Sequence, residues 1–212
     1  MMINNKTKAI QEYLNDILPN VGCELNYNKD YELLIAVVLS AQTTDKSVNL
    51  VTPVLFSRYP SLNDLADAEI KDVEDIIKSI GLYKNKAKNI VLLAQELVNK
   101  YDGKVPYEKE VLVTLPGVGN KTACVTRLEL FKADELPVDT HVARISKRLK
   151  LASQNDDPLT IEKKLKKAFP QEDWGKLHHQ FIHFGRYICT AKNPACENCK
   201  IKEFCKEKHV KP

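Results

Sequence analysis

Cys189, Cys196, Cys199 and Cys205 form a C-x6-C-x2-C-x5-C array in the last 24 residues of this 212-residue chain. Four thiols this close constrain the C-terminal fold more than any other feature. Structural zinc sites usually pair their ligands as two short knuckles, and here only Cys196 and Cys199 are knuckle-spaced. Thiolates suit zinc and iron–sulfur clusters alike, so ligand chemistry leaves both open. Two disulfides would need an oxidising compartment. The first ten residues carry two lysines and two asparagines and no apolar core of a secretory signal. The longest apolar run, Leu33 to Leu39, is too short to cross a bilayer. The expectation is an intracellular protein, away from membranes, with its cysteines reduced or metal-bound. Cys23 and Cys124, remote from the array, are expected to be small buried residues.

The net charge of +4 is unevenly placed. Residues 139–212 hold 16 Lys/Arg against 9 Asp/Glu, whereas residues 1–138 hold 16 against 19. A basic C-terminal third suits a polyanion such as nucleic acid, but lysine-rich solvated helix faces have the same composition.

Helical periodicity dominates. Ile90, Leu93, Ala94, Leu97, Val98 and Tyr101 recur as one apolar stripe. Tyr31 to Ala41 is apolar nearly all round, which predicts a central buried helix. Ser61 with Asp64 reads as an N-cap with an acidic first turn, and Asp157-Pro158 as a cap followed by a first-turn proline. No alternating run flanked by hairpin turns is present. The pattern predicts an all-α fold of about ten helices joined by short loops.

Residues 107–131 carry the second strong signal. A short helix over Tyr107–Thr114 is expected to run into Leu115-Pro116-Gly117-Val118-Gly119, with a second helix from Asn120. Two glycines around a small apolar residue leave backbone amides accessible at a helix start, which suits a phosphate; an ordinary helical turn has the same glycines. Lys121 lies in the first turn, where the helix dipole disfavours a cation and should lower its amine pKa. A neutral amine can form a Schiff base with an aldehydic carbon, whereas a protonated one simply contacts phosphate. Asp139, in Pro137-Val138-Asp139-Thr140-His141, precedes the periodic Val142, Ile145 and Leu149 and is placed as an N-cap. Facing Lys121, its carboxylate could also stabilise a sugar cation or move protons, although it would raise the lysine pKa.

Five stretches together carry a resemblance over nearly the whole chain. They are Leu39-Ser40-Ala41-Gln42-Thr43-Thr44-Asp45, Gly81-Leu82-Tyr83, Leu115 to Gly119 with Lys121-Thr122-Ala123, Val138 to His141, and the cysteine quartet. In order and spacing they resemble the endonuclease III family of helix-hairpin-helix DNA glycosylases. The resemblance implies a two-lobed fold: a helical barrel over residues 23–133, and a cluster-bearing lobe from residues 1–22 and 134–212. It also implies that Cys189, Cys196, Cys199 and Cys205 ligate a [4Fe–4S] cluster. The implied activity is removal of oxidised pyrimidines from damaged double-stranded DNA by a bifunctional glycosylase and abasic-site lyase. In that scheme Lys121 is the Schiff-base nucleophile and Asp139 its catalytic partner. Gln42 fills the gap left by the extruded base, and Leu82 is a wedge in the opposite strand. Gly117, Val118, Gly119, Thr122 and Lys192 are implied DNA contacts. The family further implies a monomer in the cytoplasm, associated with the nucleoid. Cys124, Arg127 and residues 131–137 depart from the usual family pattern and put lesion preference in question, not the reaction class. A monofunctional adenine-mismatch glycosylase is the nearest alternative, but lacks a lysine at this hairpin position. A non-catalytic DNA-binding protein with a cluster is the alternative from another class. His141, His178, His179, His183 and His209 are assigned no catalytic role.

Overall fold

The computed structural model describes residues 5–207. His209 and the start of the N-terminal segment lie outside them. The described residues are helical throughout, with no strand. In chain order the helices are α1 (Asn5–Ile17), α2 (Asp30–Leu39), α3 (Asp45–Arg58), α4 (Leu62–Ala66), α5 (Ile70–Ile77) and α6 (Tyr83–Tyr101). They continue as α7 (Lys109–Leu112), α8 (Asn120–Phe131), α9 (Thr140–Arg148), α10 (Pro158–Ala168) and α11 (Trp174–His183). A π-helical turn, Phe184–Ile188, extends α11 toward the first cysteine of the array.

The chain divides into two compact units, with boundaries at Cys23/Glu24 and Phe131/Lys132. The continuous unit, Glu24–Phe131, is built around α2. Every residue of α2 from Glu32 to Leu39 is buried, and the helix packs against α3, α6 and α8. Its one buried carboxylate, Glu32, turns back to accept from the amides of Asn28 and Lys29 at 2.8 and 3.3 Å, satisfying donors at the helix start. The helix stops at Leu39, two residues short of the apolar run; Ser40 is half-buried and Ala41 exposed. Gln42 then takes a left-handed conformation, and Thr44 caps α3 by accepting from the Ser47 amide at 3.2 Å. The α6 stripe buries Ile90, Leu93, Ala94 and Leu97, while Val98 and Tyr101 lie at its edge. The helix before the hairpin is a single turn, α7, shorter than its sequence predicts.

The other unit joins α1 to α9, α10 and α11. Ile10 and Leu14 from α1, Val142 and Ile145 from α9, Ile161 and Leu165 from α10, and Phe181 from α11 share one apolar core. Edge-on aromatic pairs, Phe169–Phe181 at 6.4 Å and Tyr13–Phe184 at 6.2 Å, fill its larger gaps. Cys124 is buried in α8, but Cys23, the last residue of the N-terminal stretch of its unit, is only half-buried.

Carboxylates at the helix starts give this fold a defined acid sensitivity. Hydrogen bonds from Ser61 hold Asp64, and those from Thr160 hold Asp157, below the usual carboxylate range. Groups with lowered folded-state pKa contribute stability above their unfolded value, near 4, and lose it as pH falls through the lowered one. Thermal melts should therefore show Tm falling below about pH 4, and falling less steeply in Asp157→Ala.

Candidate active site and metal centre

In the 24–131 unit, three short segments meet around α2 and α6. The hairpin turn packs its backbone tightly: a Cβ at Gly117 would lie 3.0 Å from both Val38 Cγ1 and Asn89 Cβ, and Gly117 has φ +76°. Only glycine fits there on both counts. Gly119 differs, since a Cβ on it would meet nothing within 4 Å. Its lack of a side chain leaves the approach to the α8 N-terminus open. Val118 is buried, and its amide donates to Leu115 O at 3.1 Å, so this residue serves the turn itself. Lys121, the second residue of α8, is exposed, and Thr122 is half-buried beside it.

The two implied DNA-inserting residues sit close together in this unit. Gln42 is exposed with φ 55°; Leu82, with φ 59°, is 58 % exposed at the start of α6. Left-handed backbone is uncommon for a non-glycine residue and persists only where its surroundings impose it. The loops touch: a Cβ at Gly81 would lie 4.0 Å from Gln42 O and from Thr43 Oγ1. Leu82 is thus no core leucine. Arg127, a departure from the family pattern, lays its guanidinium over the Tyr107 ring at 4.9 Å. Tyr107 in turn packs edge-on against Phe131 at 5.2 Å.

In the other unit Asp139 is the N-cap of α9, its Oδ1 accepting from the Val142 amide at 2.7 Å. The turn before it is anchored by buried His178, whose Nδ1 donates to Pro137 O at 2.8 Å. That bond puts the imidazole proton on Nδ1. Sequence reasoning left His178 without a task, because nothing in its helical register names a carbonyl 41 residues away.

The far half of α9 reaches the cysteine array. Arg148 is only 6 % exposed. Its Nη1 donates to Cys189 O at 3.1 Å, Cys189 Sγ at 3.2 Å and Thr190 O at 2.7 Å, and its Nη2 to Ala191 O at 3.0 Å. Arg144 adds bonds from Nη2 to Gly185 O at 2.7 Å and Cys189 O at 3.3 Å. The four thiols wall a single cavity together with Arg148, Leu149, Phe184 and Ile188. They surround it instead of converging on a point: among the described residues, no three His, Cys, Asp or Glu side chains group around a single metal ion. Burial pushes the Cys189 thiol up, partly offset by Arg148, and also raises Cys199. Thiolates form in such surroundings only beside positive charge, which a metal centre and Arg148 both provide. This donor set fits a polynuclear iron–sulfur group. Lys192 is exposed in the loop between the first two cysteines.

Residues 35–171 match the HhH-GPD superfamily of base excision DNA repair proteins, and residues 189–205 the iron-sulfur binding domain of endonuclease III. The chain is 44 % identical over 194 residues to endonuclease III of Bacillus subtilis (strain 168), covering 92 % of this chain and 89 % of that protein. It is similar to the solved structure of a non-covalent endonuclease III–DNA complex, at a TM-score of 0.93 and 43 % identity, over 98 % of this chain and 97 % of that one. A trapped endonuclease III–DNA covalent intermediate with an estranged adenine matches at 0.91 and 43 %, over 96 % and 97 % of the two chains.

Two outcomes follow from this geometry. Gly117→Ala should lower stability by roughly 1–3 kcal/mol in thermal or denaturant unfolding, because it combines left-handed strain with contact against Val38 and Asn89. Arg148→Met should purify with less iron per chain and weaker visible iron–sulfur absorbance than wild type, while far-ultraviolet circular dichroism keeps its helical signal.

Proposed function

This chain belongs to the endonuclease III family of the HhH-GPD superfamily, and from that premise we propose a bifunctional DNA N-glycosylase and abasic-site lyase that removes oxidised pyrimidines from damaged duplex DNA. One observation in the chain's own structure supports this most. An exposed primary amine, Lys121, stands two residues past a tight turn whose last glycine leaves open space at a helix start. The proposed DNA contacts begin there. Gly117 and Gly119, with the free amides at the start of α8 and Thr122, take a phosphate; they position the duplex without reading its sequence. Leu82 wedges into the opposite strand, Gln42 fills the gap, and Lys192 reaches a further phosphate.

Extrusion of the damaged nucleotide brings C1′ to the amine. The Lys121 nitrogen bonds to C1′ as the C1′–base bond breaks, and the base leaves with a proton. Opening of the sugar gives an imine between Lys121 and C1′. Loss of a C2′ proton then breaks the C3′–O bond and cuts the strand on the 3′ side. Water hydrolyses the imine and restores the amine. Asp139 is the proposed partner. The N-cap engages Oδ1, which fixes the carboxylate's orientation and leaves Oδ2 to face developing positive charge on the sugar.

The protein carries a [4Fe–4S] cluster, with Cys189, Cys196, Cys199 and Cys205 as the proposed ligands. When bound it supplies a cross-link that holds the C-terminal loop, and no step of excision. Arg144 and Arg148 join that loop to the helix that Asp139 caps, so order in the loop and order at Asp139 are mechanically connected. We take residues 23–133 as the helical barrel domain, and residues 1–22 with 134–212 as the cluster domain. No described helix is long and apolar enough to cross a membrane. The proposed setting is the cytoplasm, at the nucleoid, with the protein acting as a monomer.

Borohydride trapping tests the chemistry. Wild-type protein on a thymine-glycol duplex should give a covalent protein–DNA adduct and a nicked strand, and Lys121→Ala neither. Asp139→Asn should slow base release by about 100-fold or more while duplex binding persists. An adduct that survives Lys121→Ala, or a duplex left intact by excess wild-type protein, would remove the proposal.

A further inference from the structure

Lys86 is only 5 % exposed, yet no carboxylate among the described residues pairs with it. Among the described residues its one partner is neutral: Nζ donates to Thr43 Oγ1 at 2.7 Å. Burial accordingly pushes its ammonium below the usual lysine value. It also lies in the first turn of α6, where its own amide bonds to Leu82 O at 3.1 Å and the helix dipole opposes a cation. A buried ammonium with a single hydroxyl partner costs stability, and a methionine of similar length would fill the same space without that cost. The location of this cost is informative. Thr43 follows Gln42, and Lys86 stands one helical turn beyond Leu82, so one hydrogen bond ties the loop of the first to the helix of the second. Lys86 and Asn89 lie at i and i+3 on one face of α6, just past Leu82 at its N-cap, and Asn89 meets Gly117 of the hairpin. Gln42 and Leu82 both occupy sparsely populated backbone wells that neither residue would hold alone.

We propose that Lys86 is a positioning residue for base extrusion: through Thr43 it locks the Gln42 loop against the Leu82 turn, so that the two side chains enter the duplex as one rigid pair. The proposal rests on the glycosylase reading above. Lys86 touches neither lesion nor sugar in this scheme. Its effect falls on the step that opens the duplex and spares the chemistry at an abasic sugar already turned out.

The test compares wild type, Lys86→Met, Lys86→Arg and Thr43→Val. Single-turnover base release from a thymine-glycol duplex should fall about 10–100-fold in Lys86→Met and in Thr43→Val. Strand scission at a preformed abasic site should change by less than about threefold. Lys86→Arg, which keeps a donor, should recover most of the loss. The double variant should be no slower than the worse single, as expected of one shared bond. Melting should show Lys86→Met at or above the wild-type Tm, a result that a merely structural lysine would not give. A second readout needs no catalysis: fluorescence of 2-aminopurine opposite a tetrahydrofuran abasic analogue, at saturating protein. Its rise on binding should be lost in Lys86→Met and kept in Lys86→Arg. Equal losses of base release and scission, a lowered Tm with no arginine recovery, or unchanged base release would each overturn the proposal. A wild type that raises the fluorescence but cuts nothing would instead overturn the enzymatic reading.

Discussion

A helix that is apolar on every side must be surrounded, and α2 imposes that demand on the whole 24–131 unit. Burying the side chains from Leu33 to Leu39 contributes on the order of 10–20 kcal/mol of gross hydrophobic free energy, most of it opposed by chain entropy. The neighbours that provide this burial, α3, α6 and α8, are the helices that carry or border the proposed DNA contacts. Val38 sets how close the hairpin turn can come, and so makes glycine the residue at 117. The C-terminal end of α2 delivers Gln42. The groups that would meet DNA are thus placed by the packing of residues that never touch it.

Buried cations join elements that no covalent bond joins. Arg148 distributes its donors over three successive carbonyls and one thiol of the cysteine loop, and so fixes the path of a segment with little regular structure. A planar fork with five donors suits that task better than an ammonium. Lys86 needs to reach one oxygen at the end of a long stem, and a lysine does so. His178 performs a similar task, holding the carbonyl two residues before Asp139. All three are polar groups at buried positions, and each holds a loop or turn from another part of its unit.

Local signals were legible in the sequence wherever the cause was local. Ser61 and Asp64 exchange the bonds of a capping box, and Asp157 and Asp139 cap their helices, because a short polar side chain three residues before a free amide needs no distant partner. The α6 stripe is buried as its period requires. Departures arise where the end of an element is decided by its neighbours. α2 stops at Leu39 although Ala41 is apolar, since the loop to α3 turns out there. α7 is a single turn: Glu108 before it is still extended, and past Leu112 the chain tightens into three-residue bonds, Thr114 to Val111 O and Leu115 to Leu112 O. Cys23 is only half-buried, at the chain end of its unit's N-terminal stretch, a position that residue type does not encode.

Periodicity was enough to indicate an all-helical fold, and the cysteine array and hairpin lysine stood out by type and spacing; the repair reading came through the resemblance that the order of the motifs carries. Tertiary structure alone decided that the four thiols share one walled cavity with Arg148, that Gly119 faces open space while Gly117 does not, and that Leu82 is exposed in a left-handed turn. It alone brought Thr43 and Lys86 together. Those facts depend on contacts between residues far apart in the chain, 43 positions for Lys86 and Thr43 and 41 for Arg148 and Cys189, and periodicity describes only which face of an element is apolar, not what is packed against it.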